Sequence, residues 1–323
     1  MRLGSLLTPF MKNLGRSKIG FNLSRSALND FMNNVYKVPE ELAIRTTAVK
    51  LSRSMAYRIE PRSKKGNGCL LFLHGGAMCL SLWKFYLPFV NQLVNRTGRT
   101  VLMPDYRLAP EFPFPCGLED CLEGFGVLDS ESDDIIIVGD SAGGNLAFNV
   151  ALEHNNSIRG VCLLSPWLDL THSSEYFQSN NLDEVVFRES ADRAAWLYTV
   201  GDRDWSFGVE NPILRREFVE SVRSPRISPI FADVASFSKI RFLIQASSTE
   251  RLVGDSITLF RRLGGIVDEE GITTNEKSVR DYHHGAHRLS LWQREPHVWQ
   301  ITKPKSPNAQ AAISEIVSFC RIR

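Results

Sequence analysis

Val138-Gly139-Asp140-Ser141-Ala142-Gly143-Gly144 joins a short apolar run, residues 135–138, to a helical pattern over residues 142–153. The stretch fits G-x-S-x-G in the setting that gives the motif its meaning, with a strand directly before it and a helix directly after. A strand that turns sharply into a helix forces its apex residue into a strained backbone conformation. Gly139 and Gly143 lack the side chains that would collide across such a turn. The Ser141 hydroxyl is thereby expected to stand clear of the sheet, over a helix N-terminus that favours developing negative charge. A glycine-rich turn holding an incidental serine would need neither flank.

Further short apolar runs lie on either side of this turn, at residues 69–73, 100–103, 161–164 and 240–245, and more weakly at 289–293. Helical patterns fall between or after them, notably over 255–263 and 309–320. Strands alternating with helices imply an α/β fold whose mostly parallel sheet is covered on both faces. Two stretches break the alternation, the N-terminus to about Ala43 and the region from about Thr171 to Ala235. Insertions of this kind commonly cover a site. The expected organisation is a 1–44 N-terminal extension with cap helices and a 45–323 catalytic domain, within which 171–235 is a cap insertion. The polar stretch 269–288 reads as a long surface loop.

With 323 residues, 43% hydrophobic and 23% charged, the chain can bury one large core without disulfides or a structural metal. Its 38 basic and 36 acidic side chains leave a formal charge of +2, which gives no electrostatic case for nucleic acid. Cys69, Cys79, Cys116, Cys121, Cys162 and Cys320 form no C-x-x-C pair and no zinc-like spacing with histidine, so no metal or other cofactor is expected. They read as reduced cysteines, and the expected compartment is cytoplasmic. Arg2, Lys12, Arg16, Lys18 and Arg25 all precede the first acid, Asp30, a composition that makes mitochondrial import the alternative. No run approaches the ~18 apolar residues of a membrane span. Nothing in the composition decides between monomer and homodimer.

A second motif, Leu73-His74-Gly75-Gly76-Ala77, follows the strand at 69–73. Attack on an ester turns a carbonyl oxygen into an oxyanion, which needs fixed N–H donors. Gly75, Gly76, Ala77 and Ala142 make up the candidate oxyanion hole. Donors are expected from Gly76, Ala77 and Ala142, with Gly75 shaping the turn and His74 holding the loop by hydrogen bonding. A serine also needs a base, and that base an orienting carboxylate, in the chain order Ser, acid, His. His297, just past the last strand-like run, is placed to be the base. His154 and His172 come too early, and His283, His284 and His287 crowd a polar loop. Glu250 is the first carboxylate after the run at 240–245. Asp169 and Asp255 remain rivals, the first with a turn role and the second with a helix-capping role as its ordinary explanation.

Together these pieces resemble the hormone-sensitive lipase-like branch of the α/β hydrolases, which includes arylacetamide deacetylases and bacterial esterases. The resemblance runs from about Arg45 to the C-terminus. It rests on His74-Gly75-Gly76-Ala77, Asp105-Tyr106-Arg107-Leu108-Ala109-Pro110-Glu111, Gly139-Asp140-Ser141-Ala142-Gly143-Gly144, Ser165-Pro166-Trp167-Leu168-Asp169 and His297-Val298-Trp299-Gln300. It implies the α/β-hydrolase fold, with a mostly parallel eight-stranded sheet, a helical cap drawn from the N-terminus and an insertion after the sixth strand. It also implies a D/E-x-L acid, which selects Glu250-Arg251-Leu252. Asp105 and Arg107 would bridge loops near the site. The chain departs from the branch at Ala77, where a third glycine is usual, and in the length of 269–288.

The expected activity is serine carboxylesterase chemistry on short or medium acyl chains, through an acyl-enzyme on Ser141. The partner is a small-molecule ester. Deacetylase or amidase action would use the same Ser141, Glu250 and His297. A non-catalytic small-molecule receptor is the alternative from another class, because plant gibberellin receptors share the fold and lack the histidine that this chain keeps.

Overall fold

The computed structural model describes residues 18–31, 42–62, 66, 68–179, 186–201, 218–237, 239–268 and 279–321. The basic residues Arg2, Lys12 and Arg16 lie outside the described residues, as do 180–185 and 202–217 of the expected cap insertion and 269–278 of the expected loop. Among the described residues nine strands form one sheet: β1 (Ile44–Lys50), β2 (Met55–Pro61), β3 (Cys69–Leu73), β4 (Thr100–Asp105), β5 (Ile135–Asp140), β6 (Ile158–Leu164), β7 (Arg241–Ser247), β8 (Val279–His284) and β9 (His287–Trp292). Their order is β1-β2-β4-β3-β5-β6-β7-β9-β8. Every pairing from β4 across to β9 is parallel, while β1, β2 and β8 join antiparallel at the two sides.

Burial explains which strands were legible. Every residue of β3 and β5 is buried, so β3 reads as an unbroken apolar run and β5 as one up to Val138, as central parallel strands do. β1 is mostly exposed and reads Ile-Arg-Thr-Thr-Ala-Val-Lys, with little apolar signal. Helices occupy α1 (Lys18–Asp30), α2 (Trp83–Thr97), α3 (Cys116–Asp129), α4 (Ala142–Glu153), α5 (Glu175–Ser179), α6 (Arg188–Val200), α7 (Val253–Arg262), α8 (Trp299–Thr302) and α9 (Pro307–Arg321). Among the described residues no helix is long and apolar enough to cross a membrane. All six cysteines are free.

Among the described residues the sheet has one strand more than the eight expected, and the extra one corrects the assignment of the polar stretch as loop throughout. Residues 279–292 fold as a hairpin about Gly285 and Ala286, with His284 opposite His287. Gly285 takes φ +55, as a tight two-residue turn requires. The Asp281 carboxylate accepts from Arg288 Nη2 and Ser290 Oγ, both at 2.8 Å, so polar side chains pair across the strands. Arg288 also reaches Glu315 of α9 at 3.0 Å. A strand held by cross-strand polar pairs carries no apolar alternation to read.

Parallel strands all end at the same edge of the sheet. The segments after β3, β5, β6, β7 and β9 therefore converge there, however far apart they lie in sequence. From the N-terminal side, α1 is tied to this edge by Arg25, which donates to Cys79 O at 2.9 Å and to Glu111 at 2.5 Å.

Candidate active site

Ser141 follows the central strand β5 and caps α4 with φ 52 and ψ −121, a conformation that L-residues rarely adopt. The surroundings enforce it. A Cβ on Gly139 would collide with the carbonyl oxygen of Gly143, and one on Gly143 with the carbonyl oxygen of Leu73. Both faces of the turn are pinned by neighbours. Ser141 N–H donates to Leu164 O at 2.9 Å, and its carbonyl accepts from Trp167 N–H at 3.0 Å.

The loop after β3 lies beside this turn. Gly75 N–H donates to Asp140 Oδ1 at 2.9 Å, so Gly75 shapes the turn and has no free donor. Gly76 takes φ +118, and Ala77 and Met78 take φ 54 and 60. Ala77, standing where a third glycine is usual, thus accepts a left-handed backbone. The Gly76 and Ala77 N–H groups have no protein acceptor among the described residues. Ala142 is the first residue of α4, where a backbone N–H has no partner within the helix.

His74 is buried, and its Nδ1 lies 2.7 Å from Gly75 O. A carbonyl only accepts, so the imidazole proton is on Nδ1. Burial pushes the His74 pKa down and keeps the ring neutral. The ring stacks on Tyr106 with centroids 4.4 Å apart, and Tyr106 Oη–H donates to His74 O at 2.7 Å. Within the Asp105-Tyr106-Arg107 segment, then, the tyrosine and Asp105 support the loop, the latter through Ser81 Oγ at 2.8 Å. Arg107 turns away to Asp120 of α3, at 2.9 Å.

Asp140 is a supporting residue that motif reading passed over, although it fills the variable position before Ser141. It accepts from Gly75 N–H and, at 3.0 Å, from Tyr86 Oη. Burial pushes its pKa up to about 7 from 3.8, while those hydrogen bonds and the nearby His297 charge pull the other way. An acid whose pKa is raised on folding adds stability that is complete below 3.8 and is lost as the pH rises through about 7. Asp140→Asn removes this dependence. The melting temperature of the variant relative to wild type is therefore expected to climb between pH 4 and 7, as thermal melts across that range would reveal. A constant difference would mean that Asp140 does not titrate there.

His297 follows β9, and Glu250 follows β7. His297 Nδ1 and Glu250 Oε2 are 2.7 Å apart, with side chains only 4% and 1% exposed. Glu250 Oε1 also accepts from Ser247 N–H at 2.9 Å, so both carboxylate oxygens are engaged. Beyond His297, Val298 takes φ 49 and donates to Ser165 Oγ at 3.4 Å. That bond fixes the histidine loop to the end of β6, the strand beside the serine.

The rival carboxylates are committed elsewhere. Asp169 Oδ1 accepts from Thr171 N–H at 2.8 Å, and Oδ2 accepts from Ser173 N–H at 3.1 Å and from Ser173 Oγ at 2.6 Å. It closes a turn at the start of the cap region. Asp255 Oδ2 accepts from the N–H groups of Leu168 and Asp169, at 2.7 and 2.9 Å. Burial, with the Asp169 carboxylate next in weight, pushes the Asp255 pKa well up, which disfavours the ion a base-orienting acid must be. Of the other histidines, His154 stacks on Phe125, and His284 and His287 face each other across the β8–β9 turn. Among the described residues no group of three or more His, Cys, Asp or Glu is placed to hold a metal ion.

Comparison with known proteins bears on the family and the fold. Residues 70–287 match the profile of a family described by the alpha/beta hydrolase fold. The chain is 27% identical over 249 residues to an esterase of Acinetobacter venetianus, covering 75% of this chain and 76% of that one. It is 34% identical over 108 residues to the hormone-sensitive lipase of Bos taurus, spanning 31% of this chain and only 14% of that protein. Among solved structures, a hormone-sensitive lipase from a metagenome library is similar with a TM-score of 0.71 and 26% identity, covering 98% of this chain and 97% of that one.

Proposed function

Because the chain belongs to the α/β-hydrolase fold family, we propose that it cleaves carboxylic esters through an acyl-enzyme on Ser141, with His297 as general base and Glu250 as its orienting acid. The chain is a carboxylic ester hydrolase of the hormone-sensitive lipase-like kind. The observation that carries the residue assignment is the buried 2.7 Å contact between His297 and Glu250, at the same sheet edge as the strained Ser141 turn.

The steps follow from these groups. Glu250 fixes the His297 proton on Nδ1, so that Nε2 carries the lone pair that takes the proton of Ser141 as its oxygen attacks the ester carbonyl. The N–H groups of Gly76, Ala77 and Ala142 receive the negative oxygen. His297 then passes its proton to the departing alkoxide, and the alcohol leaves. Water enters, loses a proton to His297 and attacks the acyl-serine, which releases the acid and restores Ser141. Helix α4, with its N-terminus under the serine, favours the charge that builds up at each attack. Residues 1–44 and 171–235 are proposed to cap the site, with the Arg25 contacts to Cys79 and Glu111 as the supporting observation. Short and medium acyl chains are the proposed substrates.

Purified protein is expected to take up a fluorophosphonate stoichiometrically on Ser141, as peptide mass analysis would locate, and to hydrolyse p-nitrophenyl acetate and butyrate. A chain that forms no adduct and turns over neither ester would instead be a non-catalytic receptor.

A further inference from the structure

The proposed chemistry leaves unused a second histidine–carboxylate pair, 2.7 Å between His172 Nδ1 and Asp192 Oδ1. His172 lies in the segment after β6, and Asp192 belongs to α6 of the cap region. On the other side of the ring, Trp167 Nε1–H donates to His172 Nε2 at 3.1 Å. An indole N–H can only donate, so Nε2 carries a lone pair and the imidazole proton sits on Nδ1, facing Asp192. Glu250 selects the same tautomer in His297. At its backbone Trp167 donates to the carbonyl oxygen of Ser141 at 3.0 Å. One continuous line of hydrogen bonds and covalent bonds therefore runs from α6 through Asp192, His172 and Trp167 to the nucleophile turn.

Packing alone does not call for this chemistry. The His172 ring stacks on Phe177, with centroids 4.1 Å apart, and lies edge to edge with the nearly parallel ring of Trp167, whose centroid is 5.6 Å away. A phenyl ring would fill that slot without an acceptor on one side and a donor on the other. His172 is held there at φ 54, a backbone region costly for a residue with a side chain. The far side of the stack is tied to the acid loop, because Arg251, next to Glu250, donates from Nη1 to Phe177 O at 2.6 Å. The stack thus touches the serine turn at one end and the neighbour of the acid at the other.

We propose that His172 is a positioning residue of this site. With its Nδ1 proton directed to Asp192, its Nε2 holds the Trp167 indole and thereby the segment that clamps the Ser141 carbonyl, coupling the seating of α6 to the alignment of the nucleophile. The inference rests on the hydrolase reading above and deepens it.

Three substitutions in the full chain separate hydrogen bonding from packing. His172→Phe keeps a ring in the stack and deletes the acceptor. His172→Gln gives up the ring and restores an acceptor through Oε1, and Trp167→Phe deletes the donor. His172→Phe is expected to lower kcat for p-nitrophenyl acetate, and the rate of fluorophosphonate labelling, by about five- to tenfold, the scale of one lost buried hydrogen bond. KM should stay within about twofold. His172→Gln should recover to within about threefold of wild type, which stacking alone would not allow. The double variant Trp167→Phe/His172→Phe should be no slower than His172→Phe, because the two residues act through one bond. A His172→Phe enzyme at the wild-type rate, a His172→Gln enzyme no faster than His172→Phe, or losses that multiply in the double variant would each overturn the inference. If those results came with an active, labelled wild type, the hydrolase reading would stand. A wild type that neither labels nor turns over would overturn both.

Discussion

Ser141→Ala is expected to lower kcat for p-nitrophenyl esters by about 10⁴-fold or more, and His297→Ala by a similar factor. The two losses should not add. Once the hydroxyl is gone the imidazole has no serine proton to take, so the double variant should fall no further than either single one. Stopped assays on purified variants, with fluorophosphonate labelling alongside, would check both statements. Residual turnover should persist at a low level, because the N–H groups of Gly76, Ala77 and Ala142 would still polarise the carbonyl toward water. The Ser141→Ala chain should keep its fold, since alanine tolerates the φ of 52 no worse than serine does. A His297→Ala enzyme with near-normal turnover would move the base to another histidine and end the assignment.

Glu250→Gln is expected to cost about 10³- to 10⁴-fold in kcat. An amide facing His297 Nδ1 can donate, which lets the proton settle on Nε2 and leaves no base toward Ser141. Asp169→Asn separates this effect from mere damage to the fold. Asp169 receives donors on both oxygens from Thr171 and Ser173, so an amide there sets N–H against N–H. That variant should lose about 1–3 kcal/mol of stability, yet keep kcat within about tenfold of wild type. Thermal melts and initial rates on the same preparations read the two effects apart. The reverse pattern, an active Glu250→Gln and a dead Asp169→Asn, would transfer the acid to Asp169.

The central part of this design was open to reading because physics leaves marks on local sequence there. β3 and residues 135–138 of β5 are buried between neighbouring strands and had to be apolar runs. The turn at Ser141 had to carry Gly139 and Gly143, since a Cβ at either would collide with backbone. The family match over 70–287 accords with the fold those runs implied. What escaped was whatever depends on how side chains pair across elements. β8 is polar because Asp281 pairs with Arg288 and Ser290 of β9, and such pairs leave no apolar alternation to read although they lie close in sequence. Tyr86 and Asp140 support the loop after β3 from another helix and another strand, so their roles become visible only in three dimensions. The 2.7 Å contact between Glu250 and His297 was likewise hidden, because it follows from the pairing of β7 with β9 and not from the spacing of Glu250, Asp169 and Asp255 along the chain.

Because the strands from β4 to β9 run side by side in one direction, the sheet edge that gathers Ser141, Glu250 and His297 is complete only when β9 has docked against β7. A polypeptide emerging from the ribosome would present the serine turn long before the imbedded imidazole arrives, 47 positions beyond Glu250. With His297 as the proposed base, the Ser141 hydroxyl is expected to stay unreactive toward esters until then. On the proposed assignment, reactivity waits on the docking of β9 against β7.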